Sequence, residues 1–184
     1  MGWLIAIFVV ALVIGPLMYI KPTNKEKRIS ALRLAARSAG LNVKLSSLPV
    51  LDPELTERVT AGGEVKQPEK SCVAYQKSVS GDATVTLELL FLRVPDSPTV
   101  PVEIVFDGWA IQTGTDVWPD VDASVRSTIE SILNKAPEVC IGLGIDARFL
   151  SCYWLENGPE DGPEVNQICE FLELAEQKIS ATFS

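Results

Sequence analysis

Residues 2–20, GWLIAIFVVALVIGPLMYI, carry no charged side chain and are almost wholly apolar. Wound as a helix, the run would be about 28 Å long, close to the ~30 Å hydrocarbon layer of a bilayer. No other stretch of the chain approaches that length of unbroken hydrophobicity. The expected organisation is one transmembrane helix over residues 2–20 followed by one attached domain. Only Met1 and Gly2 precede the first bulky residue, without the Lys or Arg of a secretory signal, and Tyr19-Ile20-Lys21-Pro22 is not a small-residue cleavage site. Both features predict an uncleaved anchor. Trp3 and Tyr19 suit the interfacial belts at its two ends, and Pro16 is tolerated in its last turn.

Charge divides the rest of the chain. Residues 21–44 hold seven cations (Lys21, Lys25, Lys27, Arg28, Arg33, Arg37 and Lys44) against Glu26, a net of +6, whereas residues 45–184 hold nine cations against twenty-three acids, a net of −14. Lys and Arg flanking a span stay in the cytoplasm. The predicted arrangement is therefore a membrane crossed once, with the N-terminus outside and the C-terminal domain cytoplasmic. An acidic domain repels phosphate, which excludes nucleic acid as an expected partner.

Residues 21–45 form a basic juxtamembrane helix and first strand. Pro22-Thr23-Asn24 breaks the span, and Thr23 or Asn24 can cap a helix starting near Lys25. Ile29, Leu32, Ala36 and Ala39 share one helical face, Gly40 is a left-handed C-cap, and Leu41–Leu45 alternates as a strand. Lys25, Lys27, Arg28, Arg33 and Arg37 are candidate membrane-surface residues. They dock the helix on anionic lipid or on a partner subunit, or they only set topology and keep the helix soluble. The junction Leu17-Met18-Tyr19-Ile20-Lys21-Pro22-Thr23-Asn24-Lys25-Glu26-Lys27-Arg28 resembles the YajC-type accessory subunit of the bacterial protein translocase. That resemblance covers about a tenth of the chain and implies a bacterial inner-membrane setting with the domain inside. It does not extend to the domain, because that family continues into a short β-rich domain and this chain into a longer, acidic one.

Residues 46–70 look linker-like, with Pro49, Pro53, Gly62, Gly63 and Pro68, and a short helix is expected from Asp52 to about Ala61. Residues 71–184 form the acidic domain. Cys72–Val79 and Thr84–Val94 read as a hairpin around Ser80-Gly81-Asp82, with Val73 and Tyr75 on one face and Val85, Leu87, Leu89 and Phe91 on one face. Val102, Ile104 and Phe106 mark a third strand, continuing past Gly108 to about Gln112. Asp120 or Asp122 caps a helix striped by Val121, Val125, Ile129, Ile132 and Leu133. Glu138–Leu155 is one long strand or a hairpin turning near Gly144–Ala147. Asp161-Gly162-Pro163-Glu164 opens a last helix striped by Val165, Ile168, Leu172, Ala175 and Ile179. The predicted fold is α+β: a mostly antiparallel sheet of about four to six strands packed with about two or three helices.

The chemistry is bounded by absences. There is no histidine, which removes Ser-His-acid and Cys-His sites and imidazole-held zinc, and no Ser-x-x-Lys occurs. Cys72, Cys140, Cys152 and Cys169 have no two-residue spacing and read as reduced thiols packed as small hydrophobes, three on strands and Cys169 on the last helix. Gly142-Leu143-Gly144-Ile145-Asp146-Ala147 matches G-x-G-x-x-A, but no helical stripe comes after it to hold a pyrophosphate. No catalytic residue, cofactor or metal is expected. The most site-like constellation is Asp107, Trp109, Asp116, Trp118, Asp120 and Asp122 in one loop region. Carboxylates there could hold a divalent cation, or serve only as turn and cap residues. Trp109, Trp118, Asp116 and Asp120 are the candidate partner-binding residues, since Trp is enriched at interface hot spots. The expected function is a membrane-anchored accessory or assembly protein whose cytoplasmic domain binds a protein partner in a membrane complex. The alternative is a membrane-anchored enzyme or a small-molecule or metal sensor using the Asp107–Asp122 region.

Overall fold

The computed structural model describes residues 23–54, 63–64, 66–79, 88–113, 116–157 and 163–182, together with positions 2, 3, 10 and 12. Among them no helix is long and apolar enough to cross a membrane. The 2–20 run falls outside the described residues except at Gly2, Trp3, Val10 and Leu12. Those four are helical, and Trp3, Val10 and Leu12 are exposed.

Helix α1 (Asn24–Ser38) begins where Thr23 places its side chain at the N-cap. The Glu26 N–H donates to Thr23 Oγ1 at 3.2 Å, and the Thr23 N–H donates to Glu26 Oε2 at 2.7 Å. Two otherwise unpaired donors are thereby satisfied reciprocally. The helix stops at Gly40, whose φ of +80° is a conformation that glycine adopts without strain. Gly40 N–H donates to Arg37 O and Leu41 N–H to Ala36 O, a Schellman closure that reverses the chain into the sheet.

Among the described residues the sheet has seven strands: β1 (Asn42–Pro49), β2 (Glu69–Ser78), β3 (Leu89–Arg93), β4 (Glu103–Phe106), β5 (Trp109–Thr113), β6 (Gly142–Ile145) and β7 (Phe149–Trp154). Their order is β1-β2-β7-β6-β3-β5-β4, and every pairing is antiparallel. Helices α2 (Ala123–Leu133) and α3 (Pro163–Thr182) join α1 on one face. Register makes that face: Val43 lies opposite Tyr75, Tyr75 opposite Cys152, and Cys152 opposite Leu143. Val165, Ile168, Leu172, Ala175 and Ile179 are all buried against it, as the periodicity predicted. The opposite face carries a smaller cluster of Leu48, Leu51, Cys72 and Leu92.

The protein is thus α+β, with seven strands among the described residues where the sequence pointed to four to six. The first miscount is at β4 and β5. Rather than one strand running through Gly108, they are a hairpin turning at Asp107-Gly108, with Gly108 at φ +70°. A register shift between Ile104 and Phe106 breaks the expected alternation, so Ile104 is exposed and Val105 packs against the core. The second correction concerns β2 and β3, which are not a hairpin. Both edges of β2 are taken, by β1 and β7, and β3 pairs with β6 and β5. The β6–β7 hairpin, turning at Asp146, stands between them, and Val85 and Leu87 lie outside the described residues. Strand β1 runs on to Pro49, so residues 46–49 belong to the sheet rather than to a linker. Of the short helix expected from Asp52 to about Ala61, Pro53 and Glu54 are not helical, and residues 55–61 lie outside those described.

Ile132 is completely buried, and Leu34 is 69% exposed on the outer side of α1. Ile132→Ala should lower the stability of the domain by about 2–5 kcal/mol. Leu34→Ala should change it by less than about 0.5 kcal/mol. Urea titration of both variants, followed by tryptophan fluorescence, checks the pair; similar losses at the two positions would contradict this layering.

Candidate functional site

The collar helix is fastened to the domain by a buried carboxylate. Glu156 comes just after β7 at φ +51°, a left-handed conformation that costs a non-glycine residue about 1–2 kcal/mol. Its side chain is only 4% exposed. Arg33 of α1 reaches it with both prongs of the guanidinium: Nε donates to Oε1 at 3.0 Å and Nη2 to Oε2 at 2.7 Å. Tyr75 of β2 donates its hydroxyl to Oε1 at 3.3 Å, and Arg28 donates from Nη2 to the Glu156 carbonyl at 3.4 Å. Tyr75 is itself wedged edge-on against Trp154, with ring centroids 5.4 Å apart. The hydrogen bond to Glu156 raises the Arg33 pKa further above its ordinary value. Burial, with Glu156 beside it, pushes the Tyr75 phenol up as well. The arrangement pairs the Arg33 guanidinium, through both prongs, with the buried Glu156 side chain. It is a clasp between α1 and the sheet.

Among the residues expected at a membrane surface, Arg33 is the one that turns to the Glu156 carboxylate. Its guanidinium is committed inward, and Arg28 is half-buried beside it, while Lys25, Lys27 and Arg37 are exposed. Glu156 and Tyr75 carried no local sign of this role. Arg33 lies 123 positions before Glu156, and an acid after an apolar strand ordinarily reads as a solvated loop.

The Asp107–Asp122 region is also rearranged. Trp109 and Trp118, expected at a partner-binding surface, are 2% and 6% exposed and belong to the main core. Trp118 stands edge-on to both Phe91 and Phe106, with centroids 5.5 Å apart in each case. An arginine covers each indole. The Arg93 guanidinium lies 4.7 Å from the Trp109 ring and donates to the carbonyls of Cys140, Ala136 and Pro137. The Arg126 guanidinium lies 5.4 Å from the Trp118 ring and donates to the carbonyls of Val121, Trp118 and Pro119. Buried rings of this kind offer a partner no surface. Asp107 sits in the β4–β5 turn, and Asp122 caps α2, its Oδ1 accepting the Ser124 N–H at 2.8 Å. That hydrogen bond lowers the Asp122 pKa. Asp116, Val117 and Asp120 remain exposed on the turn before α2.

Among the described residues no group of three Cys, Asp or Glu side chains could hold a metal ion. The Gly142-x-Gly144 motif lies within β6 and is a packing feature. A Cβ at Gly142 would stand 3.1 Å from Leu48 Cδ1, and one at Gly144 would stand 3.2 Å from the Tyr153 ring. A cleft of about 690 Å³, lined in part by Lys135, Glu138, Glu164 and Phe171, borders none of the residues expected to bind a partner or a membrane surface. All four cysteines are free thiols. Cys72, Cys152 and Cys169 lie on β2, β7 and α3, whereas Cys140 precedes β6 rather than lying on a strand. Burial pushes the Cys72 thiol up to about 11 and the Cys152 thiol well above its ordinary value, so neither supplies a thiolate nucleophile near neutral pH. No family model, curated protein or solved structure matches the chain.

Folded-state thiols that ionise later than unfolded ones stabilise the fold fully below about pH 8.5, the unfolded value. The contribution is lost as pH rises toward 11 for Cys72. The denaturation midpoint should therefore hold between about pH 7 and 8 and fall above about pH 9. Cys72→Ala with Cys152→Ala should flatten that fall; an unchanged slope would show that the thiols do not cause it.

Proposed function

We propose that the chain is a single-span accessory or assembly protein of a bacterial inner-membrane complex, with its domain on the cytoplasmic side and bound there to a membrane-protein partner. The observation that carries this reading is the Arg33–Glu156 clasp. In sequence only Lys21, Pro22 and Thr23 separate the apolar run from α1, and α1 is locked to the sheet, so an anchor at residues 2–20 would hold the whole domain close to the membrane surface. Close tethering of this kind suits a domain that presents a surface to a neighbour in the same membrane. The partner surface in this reading is the exposed turn of Asp116, Val117 and Asp120, which selects a basic face on the partner. No observation favours the enzyme or sensor alternative, because Asp107 and Asp122 serve a turn and a cap, and both tryptophans are core.

The test has two arms in bacterial cells. A C-terminal reporter active only outside the cytoplasm should be silent, and the tagged chain should co-purify from detergent extract with one stoichiometric membrane protein. Asp116→Lys with Asp120→Lys should abolish that capture without loss of the chain from membranes. An active reporter would invert the topology. An isolated monomer that melts at higher temperature with a divalent metal or a metabolite would replace this reading by its alternative.

A further inference from the structure

With Arg33 drawn inward, the outward flank of α1 has a composition of its own. Lys27, Leu34 and Arg37 are exposed, and Leu34 leaves 69% of its surface uncovered. At 3.6 residues per turn these three fall in one sector about 80° wide, on the side opposite the buried Leu32 and Ala36. The acid of the first turn, Glu26, is engaged with Thr23 through its capping box. The same side of α1 borders a cleft of about 570 Å³ lined by Glu26, Ile29, Ser30, Arg33, Leu34 and Arg37. A large apolar side chain flanked by cations, on a helix three residues beyond an apolar run, matches the chemistry of a bilayer surface better than that of water.

We infer that this flank docks on an anionic phospholipid surface, with Leu34 entering the acyl boundary and Lys27 and Arg37 at the level of the phosphates. The inference rests on the anchor proposed above. Anionic lipid is the occupant because chain continuity places α1 within reach of the headgroups, and attraction of exposed cations to an anionic leaflet acts over about 8 Å at physiological salt. The domain's own acids do not compete effectively for this flank. The clasp holds α1 with Lys27 and Arg37 facing away from the sheet, and among the described residues no ion pair to either is present.

The experiment uses the full chain reconstituted into vesicles of phosphatidylglycerol with phosphatidylethanolamine, or of phosphatidylcholine alone. A nitroxide is placed at Leu34→Cys in a Cys169→Ser background, the other three thiols being buried. Collision with oxygen reports lipid, and collision with a water-soluble nickel chelate reports water. The expected result is several-fold lower nickel accessibility in anionic vesicles at low salt than in phosphatidylcholine. Lys27→Gln with Arg37→Gln should restore nickel accessibility while leaving the urea midpoint unchanged. A label equally open to nickel in both vesicles overturns the docking, and so does a label equally protected in both, since protein rather than lipid would then cover it. A chain that floats with neither vesicle overturns the anchor and the docking together; flotation with a water-exposed label overturns the docking alone.

Discussion

Glu156 is a carboxylate taken out of water, in a backbone conformation that side-chain-bearing residues avoid, and Arg33 makes that tolerable. A buried charge without its partner costs several kcal/mol, so the two-pronged guanidinium contact determines where α1 can sit. Leu32 and Ala36 then pack into the main core, and the Schellman turn at Gly40 delivers the chain into β1 at the sheet edge. Tyr75 and Trp154 form the wall against which the ion pair is held. This contact joins α1 to the sheet across 123 positions of sequence.

The sheet shows why α1, α2 and α3 lie on one side. Seven strands present a long row of inward positions, and α1, α2 and α3 cover successive parts of it with Leu32, Ile132 and Leu172 among the buried residues. On the other face the apolar cluster is small, and its close approach depends on the missing side chains of Gly142 and Gly144. The two arginines over Trp109 and Trp118 seal the core near the β5 end while satisfying loop carbonyls. Aromatic residues that look surface-like in a loop-rich segment are thereby turned into core.

What was legible in the sequence was local. Caps act through neighbours a few residues away, so residue type and spacing narrowed them to Thr23 or Asn24, Gly40, and Asp120 or Asp122, of which Thr23, Gly40 and Asp122 serve. The stripe from Val165 to Ile179 was legible for the same reason: a helix reports its buried face in its own period. Strand partners were not legible. The turn-like Ser80-Gly81-Asp82 suggested that β2 and β3 meet, but pairing is decided by which faces can be buried together, and β6 and β7 from far along the chain take the places between them. The clasp was hidden too, because nothing near Glu156 distinguishes an acid that meets a distant arginine from one that meets water.

A double-mutant cycle on Arg33 and Glu156 tests most directly whether the clasp is an energetic joint rather than a surface ion pair. Unfolding of the full chain in detergent, followed through the buried tryptophans, should show Arg33→Met losing about 3–5 kcal/mol, because the buried carboxylate is left unpaired. Glu156→Gln should lose less, since Arg33 is 31% exposed and can turn to water. The double variant should lose clearly less than the sum. Single losses below about 1 kcal/mol that simply add, as for an exposed pair, would contradict the claim that this contact fixes α1 to the domain.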